Sequence, residues 1–349
     1  MPASHDKFSV MKYGIFDHMD YGGAPTPAAY FEGRLKLAEL YDRHGFHAYH
    51  LAEHHATPLG MSPSPNVFLS ALAQRTESLR FGPLVYCLPL YHPLRLFEEI
   101  CMLDQLSGGR LEMGIGRGIS PIELDYFGLP MEDGPTMYRE AFELILLGME
   151  GGSLTYDGVH YAVKDMPITM TPVQRPHPPL WYGVQNPAAT EWPAENALNV
   201  ITNQTSAAAS QITESYTEAW LKAGRAEHDL PNLGMTRYLV IAETEEEAVT
   251  VASRAYPVWR KSFMALWDLH GQKPVGVNYP EAFKGVMETG QGIAGTPEQV
   301  TDILRAQIHT AGINYLVCRF AFGDLTFDES CRSVELFSEQ VRPYLSDAA

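Results

Sequence analysis

Three short stretches of this chain carry side chains whose type and spacing suit chemistry. The first is Leu51-Ala52-Glu53-His54-His55. His54 sits where an apolar, strand-like run ends, and a neutral imidazole there accepts a proton near physiological pH, which makes it a candidate general base. His50, His54 and His55 are close neighbours, so residue type alone does not choose among them, and a histidine in such a run serves equally well as a hydrogen-bonded structural group. Glu53 either orients an adjacent ring or caps the next element. The second stretch is Gly114-Ile115-Gly116-Arg117-Gly118. Alternating glycines leave one face of a strand bare, which admits a flat ligand or, equally, a tightly packed neighbouring element. Arg117 offers planar donors suited to a phosphate and equally suits an exposed ion pair. The G-x-G-x-G spacing, with no helix start expected directly behind it, is not the dinucleotide fingerprint. The third is Gln185-Asn186-Pro187-Ala188-Ala189-Thr190, where a strand end passes into a helix whose first amides are unpaired and suit an anion; Asn186 fits the N-cap role as well. No metal site is expected, because His54 and His55 are adjacent and lack helical spacing with a third ligand.

Positioning such residues requires a scaffold, and the hydrophobic pattern supplies one. Strand-like runs at Met11–Phe16, Ala48–Glu53, Leu79–Leu88, Leu111–Gly116, Pro179–Gln185, Leu198–Thr202, Met235–Ala242 and Tyr315–Phe320 alternate with helix-like segments joined by short connections. Eight βα units in succession predict a TIM (β/α)8 barrel, in which residues just past the carboxyl ends of the strands line one cavity. Pro93 suits a helix first turn and Gly108-Gly109 its stop. Two insertions are expected on a single barrel domain spanning 1–349. One is a hairpin over about 153–170, with Asp157-Gly158 as its turn; the other is a glycine- and proline-rich segment over about 268–293, a lid or a peripheral insertion.

Composition narrows the function. The chain has 349 residues, 45% of them apolar, enough for a large core, and its net charge of -17 opposes binding to nucleic acid or to anionic membranes. No run approaches the length needed to cross a bilayer, and Met1–Lys7 lacks the apolar core of a secretory signal, so a cytoplasmic enzyme is expected. Cys87, Cys101, Cys318 and Cys331 have no metal-ligand spacing and read as reduced structural thiols.

Taken together, Leu51-Ala-Glu-His-His55, Leu88-Pro-Leu-Tyr-His-Pro-Leu94 and Met102-Leu-Asp-Gln-Leu-Ser-Gly-Gly-Arg-Leu111 through Gly118, with weaker support from Thr190-Glu-Trp192 and Gly295-Thr-Pro-Glu298, resemble the bacterial luciferase-like, flavin-dependent monooxygenases. The resemblance runs from about Met11 to Leu345. It implies an enzyme on an α/β barrel that takes reduced FMN from a separate flavin reductase, reacts it with O2 through a flavin hydroperoxide, and oxygenates a small organic substrate. It further implies a catalytic role for His54, phosphate contacts from Arg117 and from the Gln185, Asn186 and Thr190 loop, a cis peptide at Leu84-Val85 beneath the flavin ring, and a homodimer formed through helices near the second and third strands. Two positions depart from the family pattern: Gly116 replaces luciferase's reactive cysteine, and Pro135 replaces a second phosphate-binding arginine, with Arg139 one turn away. A deazaflavin-dependent hydride-transfer oxidoreductase on the same barrel, and a flavin-binding barrel without turnover, are the alternatives.

Overall fold

The structure, a computed structural model, describes residues 11–118, 120–274 and 279–345. In chain order it runs β1 (Lys12–Asp17), α1 (Pro27–Arg43), β2 (Ala48–Leu51), α2 (Pro65–Arg75), β3 (Arg80–Pro83), β4 (Tyr86–Cys87), α3 (Pro93–Ser107), β5 (Met113–Gly116), α4 (Pro121–Tyr126) and α5 (Gly134–Glu150). The hairpin β6 (Gly152–Asp157) and β7 (Ala162–Ile168) follows, then β8 (Leu180–Gly183), α6 (Glu191–Glu195), β9 (Asn199–Thr202), α7 (Ser206–Lys222), β10 (Leu233–Ile241) and α8 (Glu245–Leu269). The chain closes with α9 (Phe283–Glu288), β11 (Gly292–Gly295), α10 (Pro297–Ala311), β12 (Tyr315–Arg319) and α11 (Phe327–Leu336).

Parallel pairing runs in the order β3, β2, β1, β12, β10, β9, β8, β5, β4. The ring completes where β3 meets the β5 side through a parallel bridge between Phe81 and Leu111, and where β4 pairs with β5. Counting β3 and β4 as one wall, the molecule is the expected eight-walled α/β barrel, with walls one to eight formed by β1, β2, β3/β4, β5, β8, β9, β10 and β12. Inside it, Phe16, Ala52, Leu84, Trp181, Ile201, Tyr315 and Val317 form a separate apolar plug. The larger core lies between the walls and the outer helices, as strands buried on both faces require.

The helices start where local chemistry satisfies their first amides. Thr26 caps α1 ahead of Pro27, and Thr296 with Gln299 and Thr326 with Glu329 make complete capping boxes for α10 and α11. Gly108, in the left-handed region, ends α3 as expected.

Four local expectations are corrected. The third strand is not continuous over Leu79–Leu88; it breaks at a cis peptide between Leu84 and Val85. The 153–170 hairpin forms, but Gly158 is not in the left-handed region. Instead of a tight Asp-Gly turn, Glu140 on α5 accepts from the N–H groups of Val159, His160 and Tyr161 and holds a wider connection. The 268–293 segment is not irregular throughout: α8 extends to Leu269, α9 occupies Phe283–Glu288, and β11 pairs with the end of β10. Part of that segment, 275–278, lies outside the described residues, as does the Met1–Lys7 stretch. Finally, α4 begins only three residues after Gly118, because Ser120 accepts from the Glu123 N–H ahead of Pro121.

Three histidines are held neutral. Burial pushes His50 down to about 3 and, with Lys12 and Arg80 adding like charge, His47 down to about 4; His18 is treated with the site. A neutral buried imidazole adds stability that is complete above the unfolded value near 6.5 and is lost as pH falls toward the folded value, because only the unfolded chain takes up the proton there. Replacing His50 by Gln is therefore expected to flatten the fall in unfolding free energy between pH 6 and pH 4 by roughly 1.4 kcal/mol per pH unit. Urea titrations at pH 6, 5 and 4 measure it, and an unchanged slope assigns the acid sensitivity elsewhere.

Candidate active site

At the carboxyl ends of the strands lies a cavity of about 450 Å³, within the usual range for a cofactor or small-molecule site. It is lined by Phe16, Ala52, Leu84, Val85, Ile115 and Tyr182 on its apolar sides, and His18, His54, Arg117 and Arg319 supply its basic groups. No helix among the described residues is long and apolar enough to cross a membrane.

Of the three clustered histidines, the structure brings His54 to this cavity. His50 is fully buried inside the barrel, its Nε2 2.8 Å from the Tyr315 hydroxyl and its ring against Trp181. His55 turns its Nε2 to Glu53, at 3.0 Å. His54 presents Nδ1 to Glu123 Oε1 at 3.2 Å. An ionised carboxylate only accepts, so the ring proton sits on Nδ1 and Nε2 carries the lone pair. Gly60 packs directly on the His54 Cβ, where a larger residue would push the ring away. Glu53 caps no helix but does orient a neighbouring ring, that of His55; its other oxygen accepts from the Cys87 N–H and the Tyr91 hydroxyl, tying wall two to wall three.

A second imidazole, absent from the sequence-based candidates, completes the pair. His18 follows β1 as His54 follows β2, and the two rings stack with centroids 5.9 Å apart. Trp259 on α8 donates its indole N–H to His18 Nδ1 at 3.3 Å. Burial first, then the Arg319 guanidinium and His54, push His18 well below its usual range, so its ring is neutral with the proton on Nε2. The two histidines thus have opposite tautomers: His54 offers a lone pair, His18 an N–H.

The glycines of Gly114–Gly118 divide their work. A Cβ on Gly114 would collide with the Pro83 carbonyl oxygen, and one on Gly82 with the Glu112 carbonyl, so these two serve the close approach of walls three and four. Gly116 faces the cavity, where a side chain would meet Val85. Gly183 also lines the cavity, and a Cβ there meets nothing. Near Gly118 lies the Cys87 sulfur; burial, then Glu53 and Glu123, push that thiol up, so it stays protonated beside the cavity.

Arg117 is exposed at the mouth, and no carboxylate among the described residues pairs with it. Gln185 and Asn186 line the same side. Gln185 is held by Gln204, which donates to its carbonyl at 3.3 Å and to its side-chain oxygen at 3.2 Å. Thr190 is not at the cavity: it is buried, and its hydroxyl is engaged by the Pro187 carbonyl and Ser215 Oγ, which fastens the loop to α7. Arg139 is exposed on α5 and does not line the cavity.

On the far side, α8 supplies an aromatic wall. Tyr279 packs edge-on against Trp259 and Phe263 at 4.9 and 4.8 Å, and Asn203 donates to its hydroxyl at 3.0 Å.

Comparison with known proteins places this geometry. Residues 11–315 match the family described as luciferase-like monooxygenase. The protein y4wF of Sinorhizobium fredii is 45% identical over 92% of this chain and 94% of its own length. The alkanal monooxygenase alpha chain of Photorhabdus luminescens is 27% identical over 90% and 91%. The oxygenase component of the flavin-dependent trigonelline monooxygenase of Acinetobacter baylyi is 26% identical over 70% and 68%. Among solved structures, the monooxygenase RslO1 of Streptomyces bottropensis superposes with a TM-score of 0.85 at 25% identity, covering 96% of this chain and 99% of that one. The oxygenating constituent of 3,6-diketocamphane monooxygenase from Pseudomonas putida, in complex with FMN, has the same fold, with a TM-score of 0.80 at 20% identity and coverage of 96% and 99%.

The seam and the cavity wall are separable by mutation. Gly114→Ala is expected to lower unfolding free energy by about 3 kcal/mol, through overpacking against rigid backbone, whereas Gly183→Ala changes it by no more than about 0.5 kcal/mol. Denaturant unfolding of both variants measures this, and equal effects would mean that the close approach at Gly114 does not constrain the seam.

Proposed function

Because the chain belongs to the luciferase-like monooxygenase family, and is an oxidoreductase of the flavin-dependent kind, we propose that its own reaction is the oxygenation of a small organic substrate with O2 and reduced FMN. One observation carries the reading: an arginine without an ionic partner among the described residues, two bare glycine positions and a carboxylate-oriented histidine converge on one cavity. A flat ring ending in a phosphate matches that set. Arg117 would hold the phosphate, with Gln185 and Asn186 beside it. Gly116 and Gly183 would leave room for the ring, and Leu84 and Val85 form the wall on which it rests. The bound cofactor supplies the two electrons that activate O2.

The chain's own contribution is proton handling and exclusion of water. His54 takes or returns a proton at Nε2, while Glu123 fixes the ring and stabilises the charge that appears when Nε2 is protonated. His18, locked neutral, donates a hydrogen bond from Nε2 without changing charge. Trp259, Phe263 and Tyr279 close the side of the cavity that would otherwise admit water to the reacting atoms.

Delivery of reduced flavin by a separate reductase fits a cavity open at Arg117 and lacking a second arginine beside it, and the trigonelline relative is itself an oxygenase component. Pairing of two copies would use α2 and α3, whose exposed Val67, Met102 and Leu106 support that reading.

Anaerobic titration with photoreduced FMN, followed by admission of O2 and product analysis, tests the proposal. Saturable binding is expected, weakened about tenfold or more in Arg117→Met, as loss of a charge-assisted contact implies, and weakened also in Gly183→Ala. His54→Asn should keep FMN affinity and lose about 100-fold or more in oxygenation rate. No saturable binding of FMN, or substrate turnover without O2 on a reduced deazaflavin, overturns the assignment.

A further inference from the structure

Arg319, the last residue of β12, is the charged group that the proton chemistry does not use. Along β12, Tyr315 and Val317 belong to the plug inside the barrel, so Arg319, two residues further in the same alternation, also faces inward and reaches the cavity at its carboxyl-terminal level. It is only 5% exposed. The guanidinium carbon lies 4.6 Å from the ring centroids of both Phe16 on wall one and Tyr238 on wall seven, two cation–π contacts that hold it in place. Nη1 donates to the Tyr238 hydroxyl at 2.8 Å and Nη2 to Thr236 Oγ1 at 3.2 Å, while Nε has no partner. Three of its five N–H groups are therefore unused among the described residues, and no carboxylate among them neutralises the charge.

A buried guanidinium without a counter-ion is costly unless something in the site supplies one. Two other arginines among the described residues are buried, and each is satisfied within the fold: Arg34 on α1 lies 3.5 Å from Asp17, and Arg237, which has no carboxylate partner among those residues, gives its N–H groups to Gln307, to the carbonyls of Gln204 and Thr236 and to the Met235 sulfur. The cavity carboxylates do not supply a counter-ion to Arg319, since Glu53 is held by Cys87, Tyr91 and His55, and Glu123 by His54. Nor does a phosphate held at Arg117 serve both arginines. Arg117 follows wall four and Arg319 ends wall eight, diametrically opposite in an eight-walled ring. The surroundings of Arg319 are Phe16, Tyr238 and Thr236, with His18 close enough to feel its charge.

We propose that Arg319 is the anchor for a carboxylate of the substrate, so that the compound oxygenated is an acid carried on an apolar or aromatic body. This rests on the monooxygenase reading above. A planar carboxylate matches the free edge of the guanidinium in a bidentate way that a neutral hydroxyl or carbonyl does not. The apolar body would lie against Phe16 and the aromatic wall from α8, with its reacting atom toward His18 and His54.

Calorimetric titration of the full chain, with and without FMN, tests this with matched probes: benzoate against benzyl alcohol, and octanoate against octanol. The wild-type protein is expected to bind each acid about tenfold or more tightly than its alcohol. Arg319→Met should abolish that ratio while leaving the alcohols unchanged; Arg319→Lys, which keeps the charge but not the paired donors, should retain part of it. Arg117→Met should preserve the ratio in the presence or absence of FMN. Equal binding of acid and alcohol by the wild type overturns the inference, and does so without any variant having to fold. An acid preference that survives in Arg319→Met, or that disappears in Arg117→Met, overturns it as well. Loss of FMN binding reads separately: it overturns the proposed function, whereas FMN binding without acid selectivity overturns only the assignment of Arg319.

Discussion

Walls three and four of the barrel touch backbone to backbone, and the geometry of the mouth follows from that contact. Gly82 and Gly114 permit it, because any side chain at either position would strike a carbonyl of the opposite strand. Arg80 and Glu112 pin it from below: they pair with each other, Arg80 also reaches the carbonyls of Gly109 and Leu111, and Trp181 donates to Glu112. Burial raises the Glu112 carboxyl despite those partners, which shows how far from water the seam lies. Above it, the third wall is interrupted at Leu84-Val85 and resumes as β4; Gly116 faces Val85, and Arg117 follows it at the rim. A wider seam would move the bare glycine face, the Leu84-Val85 wall and the mouth arginine apart together.

Charge is distributed in this mouth against the character of the whole molecule. The chain carries a net charge of -17, yet the acids at the cavity are engaged in hydrogen bonds, and the arginines there have no ionic partner among the described residues. Anionic surroundings that concentrate unpaired cations inside one concave site create a local attraction for anions that the protein surface as a whole lacks. Because Arg117 is exposed and Arg319 is buried, the two differ in kind. An anion at the first would be met in water, at modest cost and with screening. One at the second would be met where desolvation makes pairing selective.

The sequence revealed the parts of this site that sit at strand ends. His54 and Arg117 stood out because each directly follows a strand-like run, Ala48–Glu53 and Leu111–Gly116, and the eight-wall barrel was legible from the spacing of such runs. Glu123 was not, because α4 is only six residues long and carries no periodicity, although Ser120-Pro121 with Glu123 two residues on is a helix-start pattern. His18 follows β1 as His54 follows β2 and was open to the same argument. Arg319 hid inside a strand, yet a lone charge in Tyr315-Leu-Val-Cys-Arg-Phe320 is itself a signal, since a fully buried strand excludes charge unless the interior uses it. Thr190 shows the opposite error: a hydroxyl at a helix start looks the same whether it holds a ligand or the loop, and here it holds the loop. β11 was lost because Gly292-Ile-Ala-Gly295 is too short and too glycine-rich to show strand periodicity.

The order of walls around the ring decides which side chains of the mouth are neighbours. Walls four and five carry Arg117, Gly183, Gln185 and Asn186; walls eight and seven carry Arg319 and Thr236; walls one and two carry His18 and His54. An imidazole buried beside a guanidinium is held neutral by burial first and by like charge second, as His18 is. His54, one wall further round and backed by Glu123, has a carboxylate to balance the charge that protonation creates. The two histidines are equivalent in sequence context, each following a barrel strand, and they differ because one neighbours Arg319 and Trp259 while the other neighbours Glu123. On the proposed reading, His54, with Glu123 beside it, is the imidazole suited to proton transfer, and His18, buried beside Arg319 and Trp259, is suited to a fixed donor.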